Sequence, residues 1–142
     1  MMRNKKILFS ILLILGMFVI LNGCTKEEPI ISKFENLQTT ATVDDEYYPI
    51  NPISVFDPST PYIYLTGNMK DAEIGSEVIA EWYYISGEED LYLYQMKLEV
   101  TEADLGFYFS LSKPTDNWYI GDYVIYLFYN DEWMETVEFS VE

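Results

Sequence analysis

The stretch Gly121-Asp122-Tyr123-Val124-Ile125-Tyr126-Leu127-Phe128-Tyr129-Asn130-Asp131-Glu132-Trp133-Met134-Glu135-Thr136-Val137-Glu138-Phe139-Ser140-Val141 decides the fold. In its second half apolar residues recur every second position, Val137, Phe139 and Val141 being separated by Glu138 and Ser140. Tyr123, Ile125 and Leu127 share one side of an extended chain, as do Val137, Phe139 and Val141, and a period of two belongs to a half-buried strand. Between the two runs stand Asn130 and Asp131, residues that tolerate positive φ and suit the two-residue turns matching the twist of antiparallel strands. The reading is a hairpin of strands over Asp122–Tyr129 and Trp133–Val141.

Working back along the chain, the same texture persists to Pro49: short runs of Tyr, Ile, Val, Phe and Leu separated by Gly, Pro, Asn, Asp and Ser. Strands are expected at Ile53–Phe56, Tyr62–Thr66, Glu77–Ile85, Tyr92–Val100 and Phe107–Ser112, which with the hairpin makes about seven. Turn signals every ~8–12 residues and no sustained helical stripe point to an all-β sandwich or barrel over residues 49–142. Alternation assigns Val78, Ala80, Trp82 and Tyr84 to one inward face and Phe107, Phe109 and Leu111 to another. Trp82 within Glu81-Trp82-Tyr83-Tyr84, and the run from Gly121-Asp122-Tyr123 to Phe139-Ser140-Val141, resemble bacterial immunoglobulin-like modules. That resemblance implies a single Ig-like antiparallel β-sandwich with Trp82 in its core and Tyr123 bonding back to backbone as a tyrosine corner. It implies little about function. The chain has one cysteine, so no disulfide within it pins the sheets, and packing must do so.

Upstream of Pro49 the texture changes again. From Thr25 to about Tyr48 the apolar residues keep no period and threonines are scattered, which reads as a flexible tether over residues 24–48; the alternative is a short helix over Ile30–Leu37 docked on the domain. Before it, Arg3, Lys5 and Lys6 precede an apolar run from Ile7 to Leu21, the basic and apolar regions of an export signal. As a helix that run rises only about 22 Å, short of a bilayer's hydrocarbon core of about 30 Å. It ends in Leu21-Asn22-Gly23-Cys24, which resembles the bacterial lipobox, although Asn22 is larger than the small residue usual there. The resemblance implies lipidation of Cys24 and cleavage of residues 1–23 as a lipoprotein signal peptide. The expected location is a cell membrane or outer membrane, lipid-anchored, with the domain extracytoplasmic; the alternative is an uncleaved anchor helix.

Composition narrows the chemistry. The 142 residues contain no histidine, eight Lys and Arg, and 24 Asp and Glu, a formal charge of -16. Without histidine, Ser-His-Asp and Cys-His nucleophiles, His-ligated zinc and imidazole pH switching are excluded. Loss of Arg3, Lys5 and Lys6 with the signal would leave five lysines against all 24 acids, a formal charge of −19. Such a surface repels phosphate backbones, so nucleic acid is not an expected partner.

Three acidic clusters stand out: Asp44-Asp45-Glu46, Glu88-Glu89-Asp90 and Asp131-Glu132. Oxygen ligands on loops suit Ca2+, and Glu88, Glu89 and Asp90 are the candidate ligands, but none of the clusters has the alternating Asp-x-Asp-x-Asp-Gly spacing of a preorganised loop. Solvated turns are the favoured reading. A carboxylate pair across a sugar cleft is the one hydrolytic arrangement this composition allows, yet a small sandwich without long insertions rarely encloses such a cleft, and no enzymatic activity is expected. The aromatic residues carry more. Tyr83, Tyr108, Tyr126 and Phe128 lie opposite the inward sets, and Trp118 and Trp133 fall in or beside loops. Exposed Tyr and Trp offer rigid, amphipathic contact area, and these six are expected to form one outer patch for a protein or glycan partner. The expectation is a binding or structural module of a bacterial envelope, with calcium-dependent adhesion as the alternative and no resident cofactor.

Overall fold

The computed structural model describes residues 33–142, and every regular element among them is a strand. Ten strands form: β1 (Phe34–Thr40), β2 (Thr42–Val43), β3 (Pro49–Ile50), β4 (Val55–Phe56), β5 (Tyr62–Met69), β6 (Glu77–Tyr84), β7 (Leu91–Glu99), β8 (Leu105–Ser112), β9 (Gly121–Tyr129) and β10 (Glu132–Val141). The seven expected strands correspond to β4 through β10. The three added ones all lie upstream of Val55.

Two sheets face each other. One has the order β1-β5-β8 and the other β4-β10-β9-β6-β7, with β2 and β3 as a small separate ribbon. Chain order and spatial order differ, since β5 pairs with β8 while β6 pairs with both β7 and β9. The chain therefore crosses between the two large sheets after β4, β5, β7 and β8, the connectivity of an immunoglobulin-like sandwich. All long pairings are antiparallel; β4 alone runs parallel, against the end of β10.

The hairpin forms as its sequence dictates. Asn130 and Asp131 both take positive φ, 48° and 65°, which turns the chain with the twist the strands require. Glu132 then opposes Tyr129 and Val141 opposes Gly121. Asn130 also ties the turn to the neighbouring strand, its side-chain oxygen accepting the Glu77 amide at 3.0 Å. At the other end of β9, Gly121 adopts φ 138°, and a Cβ there would come within 2.6 Å of Ser86. The glycine lets the loop end of β6 close on β9.

Between the sheets lies a core rich in aromatic residues. Val78, Ala80, Trp82, Ile125, Leu127 and Val141 are fully enclosed, and from the smaller sheet Ile63, Leu65 and Phe109 meet them. Phe139 is the hub. It stacks on Tyr123 at 4.9 Å and takes the edges of Trp82 and Phe56 at 5.9 and 5.6 Å. Trp82 is fully buried against Phe139, but its indole Nε1 has no hydrogen-bond partner among the described residues. The Tyr123 hydroxyl donates to the Tyr119 carbonyl at 2.7 Å, the expected tyrosine corner, and burial together with the neighbouring Tyr84 pushes its pKa up to about 12.

The assignment of residues up to Tyr48 to a tether is corrected from residue 34 onward. β1 pairs along β5 from Phe34 opposite Met69 to Thr40 opposite Tyr64. Phe34 is buried and packs edge-on to Phe107. Two of the threonines that suggested a solvated linker, Thr39 and Thr40, are buried too, satisfied by side-chain bonds from Thr39 to the Ile53 carbonyl and from Thr40 to the Ile50 carbonyl. A bulge between Glu35 and Gln38, with Asn36 at φ 53°, breaks the alternation; this is why no period shows in the sequence. The export signal, Cys24 and the first part of the tether lie outside the described residues, as does the start of the helix alternative over Ile30–Leu37, of which residues 34–37 are strand.

Candidate binding surfaces

Two surfaces gather exposed or partly exposed aromatic side chains, one on the outer face of each sheet. On the larger sheet the pairing of β6 with β9 sets Ile79 beside Phe128, Glu81 beside Tyr126 and Tyr83 beside Val124. Tyr83 meets Tyr126 and Tyr92 edge-on, both at 5.5 Å. Trp133 lies opposite Phe128 across the terminal hairpin and is more than half exposed, with its Nε1 donating to the Glu135 carbonyl and Thr136 hydroxyl, each at 3.2 Å. Ile79 and Val124, although on this outer face, are buried within the row. The face is an apolar floor under a row of rings. Its charged groups sit among and beside them: Glu81, which accepts the Tyr83 hydroxyl at 3.1 Å, and Lys97 and Glu138 on flanking strands. Partial burial, then the Glu81 carboxylate, hold the Tyr83 phenol above its ordinary pKa.

Four of the six expected contact residues, Tyr83, Tyr126, Phe128 and Trp133, thus share one face. The other two do not. Tyr108 belongs to β8 and lies on the opposite side of the molecule, on the smaller sheet; Greek-key crossing separates strands that are neighbours in sequence. Trp118 is buried at 4% exposure, its Nε1 donating to the Thr60 carbonyl at 2.8 Å and its ring against Tyr123 at 5.9 Å. The loop after β8 folds in to plug the end of the core. Tyr92, which joins Tyr83, was missed because an irregularity in the pairing between Trp82 and Tyr83 shifts the register by one residue across β7.

On the smaller sheet, Tyr108 stacks on Tyr47 with centroids 4.0 Å apart and planes within 6°. The Tyr47 hydroxyl beside it is the main cause that raises the Tyr108 phenol above its usual value. Tyr47 and Tyr48 come from the β2–β3 loop, within the stretch read as tether, so composition gave no signal for them. They overhang a cleft of about 590 Å³ on the outer sheet face.

The acidic clusters do not converge. No three acidic side chains among the described residues meet in a way that could hold a metal ion. Glu88, Glu89 and Asp90, the candidate Ca2+ ligands, are exposed along the β6–β7 turn, and that candidate is withdrawn. In the first cluster Asp44 is occupied internally, its Oδ1 accepting the amides of Glu46 and Tyr48 at 2.9 Å each.

No protein-family model and no curated protein matches the chain. Among solved structures it is similar to Pseudomonas fluorescens alkylpurine DNA glycosylase AlkC bound to DNA containing an abasic site analog. The identity is 15% and the TM-score 0.46, over 78% of this chain and 30% of that one. The chain spans less than a third of that protein's length.

Proposed function

We propose that the protein is a lipid-anchored, extracytoplasmic module of a bacterial envelope that recognises a protein partner noncovalently and performs no chemistry on it. The carrying observation is the outer face of the larger sheet. Tyr92 and Trp133, both more than half exposed, and the partly buried Tyr83, Tyr126 and Phe128 form one row over Ile79 and Val124. Clustered aromatic rings with few charges among them, here Glu81, are the composition of protein–protein contact patches. The surplus of carboxylates favours a neutral or basic partner and disfavours polyanionic wall polymers. Support for the anchor comes from the Leu21-Asn22-Gly23-Cys24 sequence at the end of the apolar run.

Both parts are tested in cells producing the full chain. Cys24→Ala is expected to move the protein out of the membrane fraction and to abolish incorporation of a labelled fatty acid; a variant that stays membrane-bound refutes the anchor. A photo-crosslinking phenylalanine analogue in place of Tyr92 is expected to trap a discrete protein adduct that the same analogue at the exposed loop residue Glu102 does not. Equal trapping at both positions, or none at either, refutes the face.

A further inference from the structure

We infer that the cleft on the smaller sheet is a second binding site, for a neutral saccharide. It lies on the face opposite the aromatic row and does not depend on that reading.

The β2–β3 loop is built to hold an aromatic ring over this sheet. Asp44 receives the Glu46 and Tyr48 amides on its carboxylate and the Tyr47 amide on its carbonyl, and its own amide donates to the Tyr48 carbonyl at 2.9 Å. These bonds hold Tyr47 at φ 64°. A bulky residue in left-handed backbone is strained, and the strain persists because the turn over-determines it. The ring it presents is half exposed rather than packed in a core, stacked on Tyr108. Strain held at an exposed side chain points toward a ligand rather than toward stability.

The cleft beneath has the chemistry of a sugar site. Besides the tyrosines it is lined by the side-chain amides of Asn36, Gln38 and Asn68, none of which has a side-chain hydrogen-bond partner among the described residues. Each amide can donate and accept at once, which suits the vicinal hydroxyls of a pyranose. The C–H face of such a ring packs on an aromatic plane, which the Tyr47–Tyr108 stack and Tyr48 provide. No lysine or arginine lines the cleft, and Glu46 is its one carboxylate, so phosphate, sulfate and uronate ligands are disfavoured. The volume of about 590 Å³ falls within the ~300–1,000 Å³ range of small-ligand sites. Gly106 keeps the floor open. It lies opposite Asn68 on the same outer face as Tyr108, and a Cβ there would meet nothing nearer than the Asn68 side-chain oxygen at 3.6 Å.

The test is calorimetric titration of the full-length protein in detergent with neutral hexasaccharides of β-1,4-glucose, α-1,4-glucose, β-1,4-xylose and β-1,4-N-acetylglucosamine. Polygalacturonate and a Gly-Ser peptide serve as counter-probes. At least one neutral hexamer is expected to bind and both counter-probes to fail. Tyr47→Gly, which keeps the backbone conformation without strain, is expected to weaken binding by about tenfold or more through loss of the ring. Gly106→Ile is expected to fill the cleft and abolish binding with an unchanged circular dichroism spectrum; should that variant misfold, Tyr47→Gly decides alone. Silence from all four saccharides, binding undiminished by Tyr47→Gly, or preference for the peptide or polygalacturonate overturns the inference. None of these outcomes bears on the Tyr92 crosslink.

Discussion

The two buried tryptophans differ in one respect that a conservative substitution isolates. Trp82 and Trp118 are 0% and 4% exposed, and both pack against the Tyr123–Phe139 pair. Changing either to Phe removes a similar volume, so the transfer and cavity losses roughly cancel in a comparison. The indole N–H does not cancel. In Trp118→Phe the Thr60 carbonyl loses its 2.8 Å donor in a buried position, which costs about 1–3 kcal/mol. In Trp82→Phe a buried donor with no partner among the described residues disappears, which relieves a desolvation penalty of about 1–3 kcal/mol. Trp118→Phe is therefore expected to be the more destabilising by at least about 2 kcal/mol. For a sandwich of this size that corresponds to roughly 10 °C or more in Tm. Urea unfolding of the chain lacking residues 1–23 and carrying Cys24→Ser, followed by tyrosine and tryptophan fluorescence, gives both values; unchanged m-values would show that the denatured states are comparable. Trp82→Ala, which empties the site, should still cost about 3–5 kcal/mol. If Trp82→Phe proves as costly as Trp118→Phe, the account of the orphaned indole is wrong.

Two further outcomes test other parts of the fold. Phe34→Ala should cost about 3 kcal/mol in the same urea experiment, because Phe34 is buried against Phe107; a neutral result would return residues 34–48 to the status of a tether. Tyr123 makes stability fall in alkali: its folded pKa of about 12 exceeds the ordinary phenol value of about 10, so its contribution is intact below pH ~10 and is lost as pH rises through ~12. The loss amounts to about 2–3 kcal/mol, and Tyr123→Phe should flatten that limb while costing about 1 kcal/mol at neutral pH through its bond to Tyr119. An alkaline limb identical in the variant would refute the assignment.

Period-two patterning and turn chemistry located β4 through β10 because short β-rich runs between turn residues mark strands even where, as at Ile79 and Val124, the outer face is also buried, and Asn130-Asp131 suits a tight turn. The inward faces, Trp82 in the core and the Tyr123 corner followed from the same alternation and from the resemblance to Ig-like modules. β1 could not be read that way. Its bulge at Asn36 removes the period, and its buried threonines become compatible with a core only once the Ile50 and Ile53 carbonyls arrive to accept their hydroxyls.

For the candidate surfaces the division is sharper. Alternation placed Tyr83, Tyr126 and Phe128 on the outer face of their strands, and local sequence sufficed for that. Whether exposed residues of different strands meet depends on pairing across tens of residues. Crossing between sheets carried Tyr108 away from Tyr126 and set it against Tyr47, while a one-residue register shift brought Tyr92 to Tyr83. Trp118 looked like a loop residue, and its burial required the loop to fold back over Tyr123. Sequence by itself determined the class of fold, the inward faces of the long strands after Pro49 and the excess of carboxylates, because those depend on period and composition. The tertiary structure alone decided which side chains share a surface, because that depends on long-range strand order, which no local pattern encodes.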